Sequence, residues 1–188
     1  MRLRLLVVSD AELTLKWRLS PRARLLHVGA QTISEQEEWI QSRPENELNF
    51  IIETIKGEPC GMISLVKIDL VNLLAEPARF LVDQNFSKKP IAVEATLILY
   101  KVAFEILGLQ KLHGQIVGPN KRMLAWQQHY GMVIEDRLNQ QMEKSADRED
   151  YCLVSLSRTD YLSITVPRME RFLKDYAASS WGSDDGEI

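Results

Sequence analysis

The sequence predicts a mixed α/β domain built on one sheet, and three observations carry that prediction. Strand-like stretches at 48–55, 61–68 and 74–83 follow one another closely, and Lys56-Gly57-Glu58-Pro59 joins the first two. That pattern is an antiparallel hairpin extended into a meander. A long apolar stretch from Ile91 to Leu107 stops at Gly108, as expected of a helix buried on most sides. After it, strand-like and helix-like segments alternate. Antiparallel strands followed by a β-α-β-α run give a mixed sheet. With 188 residues, 45% of them hydrophobic, the chain can bury a core as a single domain.

The elements follow in order. Leu3 to Val8 is the first expected strand. Ser9 or Asp10 then caps a helix running to about Leu19, with Leu13 and Trp17 on one face, and Ser20-Pro21 ends it. Residues 21–33 form a loop. Ser34-Glu35-Gln36-Glu37 has the spacing of a capping box, which opens a helix that carries Trp39 and Ile40 and stops before Pro44. Pro90 suits the first position of the buried helix. Lys111 to Val117 is a strand with Leu112, Gly114 and Ile116 on one face. Gly118-Pro119 breaks it, Asn120 caps the next helix, and Gly131 closes that helix. Met132 to Leu138 and Tyr151 to Leu156 are the last strands, flanking the polar stretch 139–150. Met169, Phe172, Leu173 and Tyr176 then form one apolar stripe on a final helix. These boundaries place a domain at 1–162, the final helix at 163–178 and a disordered acidic tail at 179–188.

Charge and cysteine use exclude several classes. The net charge is −3, and Asp184, Asp185 and Glu187 near the end leave the rest of the chain near neutral. A nucleic-acid or membrane-surface binder needs a clear basic excess, so neither partner is expected. Cys60 and Cys152 sit far apart in apolar stretches, and His27, His113 and His129 are scattered. Buried reduced thiols and no metal site are therefore expected. The apolar run after Met1 is too short for a signal-peptide core, and no stretch reaches membrane-spanning length. The simplest location is cytoplasmic.

Two stretches carry chemistry. FLVDQNFSKKPIAVEA, from Phe80 to Ala95, is a strand, a basic turn and a helix start. NKRMLAWQQHYGM, from Asn120 to Met132, is an Asn-opened helix ending on Tyr130-Gly131-Met132. Together they resemble the cofactor half of the GNAT (Gcn5-related N-acetyltransferase) family. The resemblance covers residues 1 to about 162 and implies a splayed, mostly antiparallel sheet with acetyl-CoA as cosubstrate. The family pattern Arg/Gln-x-x-Gly-x-Gly/Ala is altered here: Ser87 stands at the Arg/Gln position, Pro90 at the first Gly and Ala92 at the last. The resemblance assigns the cofactor to Leu81, Val82, Asp83, Ser87, Lys88, Lys89, Ile91, Ala92, Val93 and Asn120. Lys88 and Lys89 can supply charge where Pro90 supplies no N–H, because a helix start favours phosphate.

The family's proton-donating Tyr falls on Gln127 in this sequence, and Gln carries no titratable proton. The acid candidate is then Tyr130, and Glu76 is the candidate base. Asp10, Leu13, Trp17-Arg18 and Pro21, followed by Ile33-Ser34, Glu37 and Trp39, resemble the opening of ribosomal-protein-alanine acetyltransferases and of relatives acting on nucleotide-linked amino sugars. That opening places Arg18, Arg24 and His27 at the acceptor and suits an acidic or phosphorylated one. The implied activity is acyl transfer from CoA to a primary amine of a small molecule, amino sugar or peptide. The rival expectation is a catalytically silent relative that binds a ligand or protein. The final helix is expected to pack on the domain or to pair across a homodimer.

Overall fold

A computed structural model describes residues 1–26, 29–117, 119–138 and 151–181. The polar stretch 139–150, the end of the expected tail, and His27 lie outside them. The chain runs β1 (Arg2–Leu5), α1 (Ala11–Arg18), α2 (Ile33–Gln41), β2 (Leu48–Glu53), β3 (Pro59–Asp69), β4 (Leu74–Val82), α3 (Ile91–Lys101), β5 (Lys111–Val117), α4 (Lys121–His129), β6 (Val133–Leu138) and β7 (Tyr151–Ser157). A helical turn, Arg158–Asp160, and a wide π-type turn, Tyr161–Thr165, lead into the C-terminal helix, Val166–Trp181.

The seven strands form one sheet in the order β1-β2-β3-β4-β5-β7-β6. Every neighbouring pair is antiparallel except β4 and β5. The expected mixed α/β sheet is the one observed. Strand alternation divides the core in two. On one face Ile51, Met62 and Leu81 stand directly opposite one another on β2, β3 and β4, and Trp17 of α1 covers them. On the other face Ile52, Ile63, Leu65 and Ala75 pack under Leu99, Tyr100 and Phe104. Cys60 and Cys152 are free and buried, and burial pushes the Cys60 thiol up to about 11.

Several local expectations are corrected. The first strand ends at Leu5, and Val8–Asp10 is a 3-10 turn. Asp10 does not cap α1 through its side chain. Its carboxylate instead takes two Arg4 nitrogens at 2.7 Å each and the Val7 N–H at 3.0 Å. The cap of α2 is Thr32, two residues before Ser34, and its hydroxyl accepts from the Glu35 N–H at 3.2 Å. The 91–107 helix is α-helical to Lys101 and then widens into a π-type turn at Val102–Ile106. Pro90 is the cap of α3 rather than its first residue, and its carbonyl accepts from Val93 and Glu94. The last helix runs past 178 to Trp181.

Candidate active site

The site begins where the sheet stops being continuous. β4 and β5 are in register only at Leu74–Lys111 and Ala75–Leu112, and then they part. Pro77 lies just beyond, and a proline belongs on a strand edge that needs no donor. In an antiparallel ladder successive residues turn their N–H groups to alternate sides. The Asp83 N–H donates to Cys60 O on β3 at 2.9 Å, so the backbone of Leu81 also faces β3, while Val82 and Phe80 face the gap. Of the three strand residues expected to meet the cofactor, Val82 alone presents its N–H there. Leu81 and Asp83 are committed to β3.

Two local features shape this edge. Gly61 lies opposite Val82, and a Cβ on it would come within 2.3 Å of Leu81 O. Only glycine lets β3 lie so close behind the open edge. The register of β3 and β4 slips between Met62 and Ser64, and Arg79 sits at the slip with φ of 52°. A bulge of this kind re-aims a side chain beside a site.

β4 leads through the 3-10 turn Gln84–Phe86 to α3. The N–H groups of Ser87 and Lys89 are spent within this turn, on Gln84 O and Phe86 O. Among the described residues none accepts from the N–H of Ile91 or Ala92, which are orphan donors of the first helical turn. Lys88 is exposed, while the Lys89 ammonium lies 4.9 Å from the centre of the Phe86 ring. Ser87 turns its hydroxyl to Gln84 O at 2.7 Å. Val93 is buried against the C-terminal helix rather than in the gap. Across the gap, Asn120 caps α4 by accepting from the Met123 N–H at 3.2 Å. Trp126 of α4 reaches Phe80 of β4, ring to ring at 6.1 Å. A strand edge with unspent N–H groups, a lysine and a helix start thus follow one another from β4 into α3, and such donors are of the kind that suits a pyrophosphate and an extended amide arm.

The catalytic candidates separate. Tyr130 is 5% exposed and lies with Val93, Leu97 and Met169, under the C-terminal helix. Burial pushes its phenol up. Packing, not an open position in the gap, is where Tyr130 stands. Gln127 accepts from the phenol of Tyr100 at 3.3 Å, and burial raises that phenol well above its ordinary value. Glu76 lies on β4 just past the last rung, half-buried, with Lys67 Nζ at 2.7 Å and its Cγ close over Gly114 of β5.

On the α1 side lie two clefts. One, of about 250 Å³, is lined by Lys16, Trp17, Arg22, Val82 and Asp83. Its floor is tied by the Trp17 indole, which donates to Asp83 at 2.7 Å. The other, of about 380 Å³, is lined by Arg18, Arg24, Leu26 and Gly29. Arg18 and Arg24 therefore line the same cleft, and His27, the third residue of that expectation, lies outside the described residues. Sequence reasoning missed Arg79 and its neighbours. The Arg79 guanidinium binds Glu47 at 2.9 and 3.1 Å and Asn49 at 3.0 Å. The Trp39 ring has Arg43 at 4.3 Å and Arg79 at 5.2 Å. No residue pattern marks a bulge in advance, so nothing in the sequence flags Arg79.

Among the described residues no group of three or more His, Cys, Asp or Glu could hold a metal ion, and no helix is long and apolar enough to cross a membrane. None of the curated proteins compared matches the chain. Solved structures do. A chimera of the spermidine N-acetyltransferase SpeG from Vibrio cholerae with hSSAT superposes with a TM-score of 0.76 at 19% identity, over 86% of this chain and 97% of that one. Mutant forms of the spermidine/spermine N-acetyltransferase SpeG from the same organism give 0.73 at 18% identity, over 86% and 96%. At such identities the likeness is one of fold. The profile of the acetyltransferase (GNAT) domain matches residues 1–133, and a match over that much of the chain places the protein in the GNAT acetyltransferase family.

Proposed function

We propose that the protein moves an acetyl or other acyl group from CoA to a primary amine of a small molecule. The observation that carries this reading is the ladder that ends after Ala75–Leu112. It leaves the Val82 N–H on an open edge that leads to the start of α3. When bound, acyl-CoA supplies an activated thioester. Orphan N–H groups of Ile91 and Ala92, with Lys88, hold phosphate charge, and Asn120 orders the first turn of α4. The Phe80–Val82 edge offers N–H groups to an amide arm or a thioester carbonyl, where a fixed donor is worth most as negative charge develops. Amine nitrogen forms the new C–N bond as the C–S bond breaks. One proton leaves the ammonium, and one ends on the departing sulfur. Glu76 is the carboxylate assigned to take the first, directly or through water.

Calorimetric titration with acetyl-CoA tests the reading. Micromolar binding is expected, and acetyl-CoA at a hundred times its dissociation constant should stabilise the fold by about 2.7 kcal/mol. Replacing Lys88 and Lys89 together by Ala should weaken binding at least tenfold. No binding up to millimolar acetyl-CoA sinks the proposal and leaves the silent-relative reading. The named substrates of the structural neighbours make polyamines the acceptor to compare with any other.

A further inference from the structure

Glu76, the carboxylate assigned to take the acceptor's proton, already carries an amine of this chain. The Lys67 ammonium lies on it at 2.7 Å. Lys67 reaches it from β3, while on the other side a Cβ on Gly114 of β5 would stand 3.8 Å from the Glu76 Cγ. The pair therefore sits at the seam, just past the last rung between β4 and β5. A primary amine on a carboxylate is the pairing that the transfer asks of an acceptor, and here one chain supplies both halves. Lys111, at the last rung itself, is turned instead to Glu135 of β6.

The backbone at the lysine is strained. Lys67 has φ of 50°, in the left-handed region that favours glycine, and it stands at the slip in register between Val66 and Asp69. Strain of this kind persists only where the surrounding structure holds it, and it gathers at functional sites. An exposed ion pair contributes little to stability, so the pair by itself does not account for the strain.

We propose that Lys67 is a modification site, acylated by CoA within its own chain. β4 runs from the last rung to the start of α3, so phosphate held at α3 directs the thioester end back along Phe80–Val82 towards the rung. Glu76 takes one proton from the Lys67 ammonium, and the freed nitrogen attacks the thioester carbonyl. The second proton, shed from nitrogen as the C–N bond forms and the C–S bond breaks, ends on the departing sulfur. The product is an uncharged amide that no longer pairs with Glu76. One acyl group is therefore taken up per chain, and the carboxylate is released to an external amine.

The inference rests on the acyl-transfer reading. Its test is incubation of the full chain with acetyl-CoA alone, followed by peptide mass spectrometry. Lys67 should gain one acetyl group at least ten times faster than Lys16, Lys111 or Lys174, with a half-time that does not change when the protein is diluted tenfold. Glu76→Gln should slow the gain at least tenfold. Lys67→Arg, which keeps a cation on Glu76, should bind acetyl-CoA as before and take up no acetyl group at that rate. Acetylation of Lys67 no faster than at the other lysines, a rate that grows with protein concentration, or a Glu76→Gln chain modified as fast as its parent overturns the inference. The acetyl-CoA titration tells the two failures apart: micromolar binding with Lys67 unmodified overturns this inference alone, and no binding overturns both.

Discussion

Arg4 shows how a single side chain can hold two distant pieces of the fold. Its guanidinium binds Asp10 through two nitrogens at 2.7 Å and Glu53 at 2.6 Å, joining β1, the turn before α1, and β2. Hydrogen bonds from Arg4 and Arg2 hold the Glu53 carboxyl below its usual range despite burial. Burial would raise Asp10, but Arg4 and the Val7 N–H outweigh it. Both carboxylates thus contribute stability that is full above their unfolded values of about 4 and is lost as pH falls through the lower folded values. Arg4→Ala should cost about 3 kcal/mol, because the buried Asp10 carboxylate loses its guanidinium and the buried Glu53 carboxylate is left with Arg2 alone. Urea unfolding at neutral pH reads the loss, and repeating it down to pH 3 should show a flatter acid slope in the variant. None of this was legible in the residues, where Asp10 looked like a helix cap. Capping spacing is a local signal, whereas the partner that won comes from a neighbouring strand.

At the level of elements, what repeats locally was legible and what depends on strand-to-strand detail was not. The meander, the buried α3, the Asn120 cap and the Gly131 stop all rest on short-range rules of period and backbone freedom. The Gly131 backbone, with φ of 98°, is one that glycine adopts without strain. The bulge at Arg79 and the commitment of Leu81 and Asp83 to β3 arise from register, which no window of sequence records. The stripe of the C-terminal helix was read correctly in part. Met169 is fully buried, while Phe172 is 41% exposed. Met169→Ala should therefore cost about 2–4 kcal/mol, and Phe172→Ala well under half of that. Thermal unfolding of the two variants side by side checks the order; equal losses would mean that the helix is seated differently.

Across the whole molecule the sheet behaves as two plates. β1 to β4 are laced along their lengths, as are β5, β7 and β6, but only two rungs join β4 to β5. Cooperative units follow the density of such contacts. Native-state hydrogen exchange should sort the strand amides into two groups with separate opening free energies, and acetyl-CoA should raise protection in both. A single group with one opening free energy would contradict the division. The C-terminal helix crosses this seam. Val166, Met169 and Leu173 meet Val93 and Leu97 from the first half and Tyr130 from the second, while Thr165 and Arg168 hydrogen-bond the Tyr130 and His129 carbonyls. It is a clasp: it ties the first turn of α3 to the end of α4, one from each half of the sheet. A change in its apolar stripe would therefore be felt where α3 begins, so a helix that contributes no strand still bears on how the two plates are held together.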